Sequence, residues 1–297
     1  MIRVDLHSHS TCSDGTFCPA HTVRLAHDAG IDIFALTDHD TISGIDEARQ
    51  MADELGMRLI NGVEISCHHQ ISGGYGKNQT TTKTIHVLAL NFTNKERLNQ
   101  KLNHLQNSRA TRGHAIVIKM AKILADMADF VHINEQVLWQ AVLTKTQGNA
   151  KAVGRAHIAC VLFEMGVVKT VQEAFDKYLA DNKPAYVAID SLSMAQTIAL
   201  IHECGGISVL AHPTRYHLSA TRVRKLIANF AMLGGQAIEL PIPNEPTATQ
   251  AMIDRCVSEH GLMVSVGSDF HGQNMPWRKL GRVATPKAGQ VGVWEQF

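Results

Sequence analysis

The stretch Ile2-Arg3-Val4-Asp5-Leu6-His7-Ser8-His9 decides the fold of this 297-residue chain. Residues 2–6 are a short strand candidate, and two imidazoles follow it directly. The rings of His7 and His9 stand at positions i and i+2, which lie on one side of an extended chain, as two ligands of one metal ion must. The chain therefore begins with a strand that ends in a pair of candidate metal ligands.

Short apolar runs alternate with amphipathic segments along the chain, as expected of an α/β protein with parallel strands. The seven strand candidates are residues 2–6, 32–36, 58–63, 85–90, 207–210, 236–240 and 262–266. A helix predicted over residues 20–29 stops at Gly30. A second, over residues 45–55, opens with Ser43 and Asp46 as a capping-box-like pair and stops at Gly56. Seven β/α units predict a barrel.

The pattern changes over residues 98–186, where no convincing strand occurs and at least four helical segments follow one another. We predict an inserted all-helical subdomain, with a third helix over residues 152–165 and a fourth over residues 171–179 that Thr170 and Glu173 begin as a capping box. Residues 1–97 and 187–297 are then the two parts of the barrel. The polar, Gly-rich run over residues 72–82 predicts a mobile loop.

The composition excludes several classes of protein. With 45% hydrophobic and 19% charged residues, the chain is neither disordered nor collagen-like. A net charge of +1 provides no global basic field for long nucleic acid or an acidic membrane, so any polyanion must meet a local site. The six cysteines form no C-x-x-C pair, and no apolar leader or 18-residue apolar run occurs; we therefore expect a cytoplasmic protein with reduced thiols and no membrane contact.

The 17 histidines are the unusual feature of the composition, and many of the metal-type side chains fall at strand ends. In a β/α barrel the carboxyl ends of the strands open on one face, where active sites lie, so these side chains should converge. They are His7, His9, Asp38, His39, Glu64, His212, Asp269 and His271, with His86 inside the fourth strand and Asp14 on the loop after the first. Glu64 can bridge two ions because a carboxylate has two oxygens.

Each of these residues also has an ordinary interpretation. A lone histidine at a strand end is more often a hydrogen-bonded or surface residue, and Asp14-Gly15 alone is a turn. Asp38 and Asp40 flank His39, and we expect them to orient its ring. Histidines without strand-end placement are interpreted as ordinary residues; they are His68, His69, His104, His114, His132, His202 and His217.

Five motifs carry a family resemblance across almost the whole chain. They are Asp5-Leu6-His7-Ser8-His9, Thr37-Asp38-His39-Asp40, Gly62-Val63-Glu64-Ile65-Ser66, Ala211-His212-Pro213 and Gly267-Ser268-Asp269-Phe270-His271. Together they resemble the motifs of the polymerase and histidinol phosphatase (PHP) family of metal-dependent phosphoesterases. The resemblance is strongest to a bacterial branch with a helical insert that includes a nucleoside 3′,5′-bisphosphate phosphatase and a 5′-to-3′ exoribonuclease.

The resemblance implies a distorted (β/α)7 barrel with an inserted all-helical subdomain and two or three divalent metal ions. By motif, one ion takes His7, His9, Glu64 and Asp269; a second takes Glu64, His86 and His157; a third takes Asp14, His39 and His271. The sequence departs from the family pattern at Asp14, where a histidine is frequent. It also departs at Thr214, where the branch usually has glycine, in the long loop between Glu64 and His86, and in the run over residues 240–246.

Clustered metal ions suit phosphate-ester hydrolysis, whose uncatalysed barrier is very high and whose transition state spreads negative charge over oxygen. The nitrogen and oxygen ligand set favours manganese, with iron or zinc as alternatives. Glu64, Asp269, His212 and Arg155 are the expected catalytic residues. Arg155 and Arg215 are candidates for a phosphate clamp, with Lys183, Tyr186 and His212 lining the pocket. Taken alone, Arg155 or Arg215 has an alternative interpretation, that of an ordinary charged residue at the surface.

The expected substrates are nucleoside 3′,5′-bisphosphates, or short single-stranded RNA or DNA with 5′-phosphorylated ends, without an obligate protein partner. Other interpretations stay open at this stage. One is a phosphatase of another small ester such as a histidinol-phosphate-like substrate, and another is a non-catalytic PHP binding module. A metal-dependent amidohydrolase is less favoured, because the chain lacks the metal-bridging lysine that many of these enzymes carry on the fourth strand.

Overall fold

A computed structural model of the chain describes residues 2–72, 80–188 and 191–297. The chain divides into two compact units, one made of Met1–Lys101 and Ser191–Phe297 and the other of Leu102–Asp190. We refer to them as the barrel unit and the helical unit. The sequence predicts an insert over residues 98–186, whose bounds differ by a few residues from this division and stay a prediction. None of the helices in the described ranges combines the length and apolar character that a membrane crossing requires.

The barrel unit is built on a mixed sheet with the order β1-β2-β3-β4-β6-β7-β8, in which β5 pairs with β3. The strands are β1 (Val4–Asp5), β2 (Ile33–Leu36), β3 (Arg58–Ser72), β4 (Thr80–Leu90), β5 (Leu192–Ser193), β6 (Ile207–Leu210), β7 (Ala237–Glu239) and β8 (Met263–Ser265). The helices between them are α1 (Pro19–Asp28), α2 (Ile45–Leu55), α7 (Met194–Glu203), α8 (Ala220–Met232) and α9 (Thr247–His260). All seven strands expected from the sequence form, which confirms the distorted β/α barrel.

The central strands are apolar on both faces because helices cover the sheet from outside. Phe34, Val63, Val87 and Leu210 are fully buried. One cluster of the core lies between α1, α2 and the sheet, where Val23 and Ala48 pack against Phe34. This packing holds the strand ends, and the residues that follow them, in fixed positions.

The first and last strands of the sheet are joined by backbone hydrogen bonds from the residues that follow them. The amide of Leu6 donates to the carbonyl of Val266 (2.9 Å), that of Asp269 to His7 (2.9 Å) and that of His9 to Phe270 (2.8 Å). The sheet therefore curls until its two edges meet. The same bonds bring the His7-Ser8-His9 and Ser268-Asp269-Phe270-His271 segments side by side.

The expectation of parallel strands is wrong for β4. It runs antiparallel to both β3 and β6, with Ser66 opposite His86 in the register. Only residues 73–79 separate β3 from β4, too few for the crossover of a dozen or more residues that a parallel pair needs. The mobile loop expected over residues 72–82 lies partly outside the described residues; Ser72 ends β3 and Thr80 begins β4.

The helix signals of the sequence are partly confirmed. Helix α2 spans the expected residues and ends at Gly56, which adopts the left-handed conformation (φ 65°). Its N-cap is Gly44 without a side-chain hydrogen bond, so the Ser43 and Asp46 capping pair is wrong. Ser43 instead bonds with Thr41, whose hydroxyl also accepts from the Ser43 amide, and this side chain is no longer available for the helix.

The boundary between the two units falls within α3 (Lys95–Ala125), so the helical unit begins inside this helix, at Leu102. It contains α4 (Glu135–Lys145), α5 (Arg155–Glu164) and α6 (Val171–Ala174), which a π-helical turn over Phe175–Leu179 continues. Its own core includes Val117, Leu138, Ile158 and Leu162. Thr170 caps α6 by accepting from the Glu173 amide (3.0 Å), but the Glu173 carboxylate accepts from the Lys169 amide, so the expected capping box is only half formed.

Candidate metal centre

The carboxyl ends of the strands in the barrel unit bring nine candidate side chains to one place. His7 and His9 follow β1, His39 follows β2, Glu64 lies on β3, His86 on β4, His212 follows β6, and Asp269 and His271 follow β8; Asp14 reaches them from the loop after β1. His86 belongs to this group although β4 runs antiparallel, because it lies inside β4 and the register places it opposite Ser66 of β3. The convergence expected from strand ends thus holds for the barrel unit.

Glu64 lies at the middle of this cluster, and its two oxygens face different imidazoles. Its Oε2 lies 3.4 Å from His7 Nε2, 3.3 Å from His9 Nε2 and 2.9 Å from His39 Nδ1. Its Oε1 lies 2.9 Å from His86 Nδ1 and 3.0 Å from His212 Nε2. This is the arrangement that a carboxylate bridging two cations requires.

Two further carboxylates extend the cluster away from Glu64. Asp269 Oδ1 lies 3.4 Å from His7 Nε2 and 3.3 Å from His9 Nε2. Asp14 Oδ1 lies 3.3 Å from His271 Nε2, and its Oδ2 lies 3.8 Å from His39 Nε2. The side chains therefore form overlapping groups that share His7, His9, His39 and Glu64.

The donor atoms fit metal ions, because several of them are buried and have no hydrogen-bond partner among the described residues. These atoms are His7 Nε2, His9 Nε2, His39 Nδ1, Glu64 Oε2 and His212 Nδ1. Buried polar atoms are normally hydrogen-bonded, and a shared cation would satisfy the imidazole and carboxylate atoms that face one another here. The donors are nitrogen and oxygen only, a set that suits hydrolytic divalent metals better than a thiolate-bound structural zinc.

The electrostatics of the cluster keep its carboxylates ionised. Burial alone would raise the pKa of Glu64, but the surrounding His39, His86 and His7 hold it well below its usual range. The pKa of Asp269 is held low in the same way by His271 and His7 against burial. Burial also opposes protonation of His9, yet the nearby carboxylates of Asp269 and Glu64 raise its pKa to about 10. Three carboxylates among these imidazoles make a negative site suited to cations.

Glu239, at the end of β7, is a further residue at this cluster, and it was not predicted from the sequence. Its Oε2 lies 2.6 Å from His7 Nδ1, and both side chains are buried. This carboxylate fixes the ring so that Nε2 points to Glu64 and Asp269, as carboxylates behind metal-bound histidines do. Glu239 lies within a predicted strand that ends at the same barrel face, so the strand-end argument applied to it as well.

Tyr216 positions the backbone around His86. Its hydroxyl accepts from the His86 amide (2.9 Å) and donates to the carbonyl of Ala211 (2.9 Å). The neighbouring His212 has φ of 28°, and Asp269 has φ of 54°. Such left-handed conformations cost about 1–3 kcal/mol for a non-glycine residue and concentrate at functional sites. Two members of the cluster therefore have a strained backbone, which the surrounding contacts must hold in place.

The described hydrogen bonds of Asp38 and Asp40 go to residues other than His39, and their orienting role stays a prediction. Asp38 accepts from the Ser10 amide (2.7 Å), the Ser10 hydroxyl (2.6 Å) and the Ser13 hydroxyl (2.6 Å). Asp40 Oδ1 accepts from the Ser66 amide (2.7 Å). These carboxylates instead tie the loop after β1 and strand β3 to the end of β2, which positions His9 and Glu64 indirectly.

Four of the expected site residues lie in the helical unit. His157 is buried on α5, and its Nδ1 accepts from the Gly154 amide (3.1 Å). Arg155 Nη1 donates to the Leu179 carbonyl (3.3 Å) and the Asp181 carboxylate (3.2 Å). Lys183 is exposed, and the Tyr186 carbonyl accepts from Lys119 Nζ (2.7 Å). Within their own unit, Arg155 and His157 share the first turn of one helix.

Arg215, in contrast, touches the metal cluster itself. Its Nη1 contacts Asp269 Oδ2, and it lies on the 3-10 turn Pro213–Arg215 that follows His212. Several histidines that the sequence analysis set aside have ordinary partners: His202 with Ser208, His69 with Asn229 and His68 with Ser191. The side chains at this barrel face can therefore bind several cations and present a guanidinium beside them.

Comparison with known proteins places the chain among phosphoesterases. The PHP domain model matches residues 5–183. A 5′-3′ exoribonuclease of Haemophilus influenzae is 35% identical over 300 residues, 99% of both chains. A 3′,5′-nucleoside bisphosphate phosphatase of Chromobacterium violaceum is 30% identical over 282 residues, 95% of this chain and 91% of the relative. The solved structure of an amidohydrolase from Chromobacterium violaceum, with bound sulfate and no metal, matches with a TM-score of 0.83 at 28% identity, covering 99% of this chain and 95% of that one.

Proposed function

The chain belongs to the PHP domain family, and from this membership we propose that it is a metal-dependent phosphoric ester hydrolase acting on nucleotides. It acts as a 5′-to-3′ exonuclease on short 5′-phosphorylated RNA or DNA, as a 3′-phosphatase on nucleoside 3′,5′-bisphosphates, or as both. The relatives named for these two activities support the proposal. The observation that carries it is the Glu64-centred cluster, in which two oxygens of one carboxylate face separate sets of imidazoles.

The cofactors are two or three divalent ions, manganese first, with iron or zinc as alternatives. By the family resemblance, the residues that would hold them are His7, His9, Glu64 and Asp269 for one ion, Glu64, His86 and His157 for another, and Asp14, His39 and His271 for a third. Within the barrel unit, three groups of neighbouring donors support this division; they are His7, His9 and Asp269, then His39, Glu64 and His86, and then His9, Asp14, His39 and His271. When bound, such ions supply Lewis-acid activation of water and of the phosphoryl group. Because His157 Nδ1 accepts from Gly154, the ring carries its proton on Nε2, and metal binding through Nε2 requires this cap hydrogen bond to be given up.

One reaction serves both substrates. The oxygen of water adds to phosphorus, the bond from phosphorus to the ribose 3′ oxygen breaks, and that oxygen takes up a proton. His212 is the proposed acceptor of the proton of the water, because its imidazole lies within the cluster, with Nε2 3.0 Å from Glu64 Oε1. Arg155, Arg215, Lys183 and Tyr186 are the proposed phosphate contacts, and Arg215 already lies against Asp269.

The local nature of these contacts favours short substrates. The net charge of +1 provides no long basic track, so one or two end phosphates supply the affinity. The rate on 5′-phosphorylated dinucleotides should therefore approach the rate on longer single strands. The free cysteines support a cytoplasmic enzyme whose partners are nucleotides and nucleic-acid 5′ ends.

Product analysis tests the function. Purified protein with added manganese is incubated with 3′,5′-bisphosphoadenosine and with matched RNA oligonucleotides that carry a 5′-phosphate or a 5′-hydroxyl. We expect nucleoside 5′-monophosphates, released stepwise from the 5′ end, and failure of the 5′-hydroxyl strands. Arg155→Ala and Arg215→Ala should each cost about ten- to a hundredfold in rate at low substrate, since a charge-assisted contact is worth about 1.5–3 kcal/mol. Equal cleavage of both strands, or release from the 3′ end, contradicts the orientation.

A further inference from the structure

Strands β3 and β4 continue past the metal centre as a two-stranded arm. Glu64 and His86 lie at its base, and residues 65–72 and 80–85 beyond them pair in unbroken antiparallel register, up to Ser72 opposite Thr80. At about 3.3 Å per residue, the arm extends about 26 Å from Glu64. The sequence departs from the family pattern in this long segment between Glu64 and His86, and the proposed function does not use it.

One face of the arm is continuous with the metal centre. Side chains alternate along a strand, and directly opposite residues share a face. Glu64 Oε1 and His86 Nδ1, which lie 2.9 Å apart, mark the face that carries the metal cluster. The register pairs on this face are Ser66 with His86, His68 with Thr84, Gln70 with Thr82 and Ser72 with Thr80. We call these eight residues the polar face; beyond His86 it is a row of hydroxyl, amide and imidazole groups.

The opposite face of the arm is packed against the barrel unit. Cys67, Ile71 and Ile85 on this face are fully buried, and His69 bonds with Asn229 of α8 (3.1 Å). The polar face is open to solvent over most of its length. Its exposed members are His68, Gln70, Ser72, Thr80 and Thr82. The packed face therefore holds the arm in place, and the polar face stays accessible to a ligand.

The chemistry of the polar face suits a single-stranded nucleic acid. Its described residues include no carboxylate, lysine or arginine, so this face neither repels a polyanion nor depends on ionic attraction. Hydroxyl and amide side chains are common partners of the phosphate and sugar oxygens of nucleic acids. An uncharged track also agrees with the net charge of +1, which excludes a long basic one.

The proposed reaction decides which part of a substrate can occupy the arm. An exonuclease that releases mononucleotides from the 5′ end has one nucleotide on the 5′ side of the scissile bond, and all others lie on the 3′ side. A stacked strand advances about 3.4 Å per nucleotide, so a track of about 26 Å accommodates up to about eight nucleotides. Only the 3′ part of a strand has this length.

We propose that the polar face of the arm binds the 3′ part of a single-stranded substrate while its 5′-terminal nucleotide is at the metal centre. The inference rests on the proposed function and deepens it, because it adds strand length as a determinant of binding. The arm adds uncharged contacts to those of the end phosphates. It therefore lowers KM for longer strands and retains them between cleavages, and the rate on saturating dinucleotide stays that of longer strands.

Strands of different length test the arm. 5′-Phosphorylated oligoadenylates of two and eight nucleotides are compared with added manganese, by the initial release of the 5′-terminal nucleotide. KM for the octanucleotide should be lower by about fivefold or more at similar kcat, as a few neutral hydrogen bonds would give. Because the contacts are uncharged, this KM ratio should change by less than about twofold between about 50 and about 200 mM salt.

The two faces of the arm provide the variant and its matched control. Gln70→Ala combined with Thr82→Ala removes one register pair from the polar face and should bring the KM ratio to within about twofold. Thr81→Ala makes the same change one residue away on the packed face and should keep the wild-type ratio. Thermal unfolding shows whether each variant is folded, and Thr82→Ala alone carries the test if the double variant is not.

Two measurements locate the strand without turnover. In EDTA, calorimetry should find that wild type binds the octanucleotide about fivefold more tightly than the dinucleotide, and that the double variant loses most of this difference. An octanucleotide with 4-thiouridine at its fourth position should crosslink under ultraviolet light to residues 66–72 or 80–84 of wild type.

The outcomes distinguish the arm from the proposed function. Equal KM and equal binding of the two strands, a length preference that the double variant keeps, or crosslinks confined to other segments would overturn the role of the arm. So would a dimer in solution that the double variant dissociates, since the polar face would then be an interface between two copies of the chain. Loss of all hydrolysis in wild type contradicts the proposed function instead, and the binding and crosslinking results then decide on the arm.

Discussion

The buried contact of Glu239 with His7 shows how a single residue outside the ligand set can control it. Glu239→Gln replaces a carboxylate that holds His7 Nδ1 at 2.6 Å with an amide that binds it more weakly. Loss of such an orienting carboxylate costs about 10- to 100-fold in metal affinity or activity. We expect this drop in kcat and in metal affinity, measured by titration of the apo-protein with manganese.

The matched control for Glu239 is Glu203→Gln. Glu203 ends α7 and forms an exposed pair with Arg97. Exposed pairs contribute about 0–1 kcal/mol, so its activity and metal affinity should equal those of wild type. If Glu239→Gln had the activity and the metal affinity of wild type, His7 would need no orienting partner.

The cysteines provide a residue-scale test that does not involve the metal cluster. Cys67 on β3 is fully buried, and burial raises the pKa of its thiol to about 12, whereas Cys18 is exposed. A raised pKa leaves Cys67 protonated at pH 8, and only the thiolate reacts with alkylating reagents. After a short pulse of iodoacetamide at pH 8, mass spectrometry should find Cys18 modified and Cys67 unmodified until the protein unfolds. Modification of native Cys67 contradicts the packing of β3.

The candidate ligands in the barrel unit could be found from the sequence because their placement follows from topology. His7, His39 and Glu64 come at the ends or within predicted strands, and a barrel brings such positions together. The orientation of the side chains could not be predicted in this way. Which carboxylate faces which ring depends on side-chain packing: the sequence predicts Asp38 as a partner of His39, whereas the described hydrogen bonds of Asp38 go to Ser10 and Ser13.

At the scale of elements, the junction of β1 with the residues after β8 allows no added volume. A Cβ on Gly267 would lie 2.3 Å from His7 Cβ and 3.1 Å from the His7 amide nitrogen. Gly267→Ala must therefore displace His7, at a cost of about 1–3 kcal/mol for overpacking. We expect a lower midpoint in urea unfolding and weaker manganese binding. A variant with wild-type metal affinity would show that the junction is looser than the contacts indicate.

Elements were predictable where local signals agree with burial. Strand β6 and helix α2 have the predicted bounds, because an apolar run or a C-terminal glycine marks their ends. Strands β3 and β4 are longer than predicted, at 15 and 11 residues. The residues added to β4 are polar, and those added to β3 mix polar residues with the buried Ile65, Cys67 and Ile71. They pair with each other as a hairpin, and a pattern of apolar residues does not report such pairing.

At the scale of the molecule, the insert is proposed to contribute His157 and Arg155 to the function. Replacing Leu102–Asp190 by a short linker should leave the barrel cluster able to bind metal, since His7, Glu64 and Asp269 all lie in the barrel unit. We expect a lower metal content and a loss of at least about tenfold in kcat/KM, equivalent to one strong contact. Circular dichroism checks folding. A folded variant with the full rate would contradict the proposed roles of His157 and Arg155.

The presence of a helical insert was predictable, because a long segment without strand signals interrupts the β/α alternation. The functional residues of the insert were not predictable. No strand end marks His157, which enters the proposal only through the family resemblance, and its hydrogen bond with Gly154 could not be inferred from spacing.

The central claim is that Glu64 bridges metal ions that hydrolyse a phosphate ester. The most direct measurement combines metal content and turnover of 3′,5′-bisphosphoadenosine for wild type and Glu64→Gln, both reconstituted with manganese. The account predicts two or three ions per chain and release of phosphate for wild type, and fewer ions with no turnover above background for the variant. Fewer than one bound ion in reconstituted wild type, or turnover by Glu64→Gln at the wild-type rate, would contradict it.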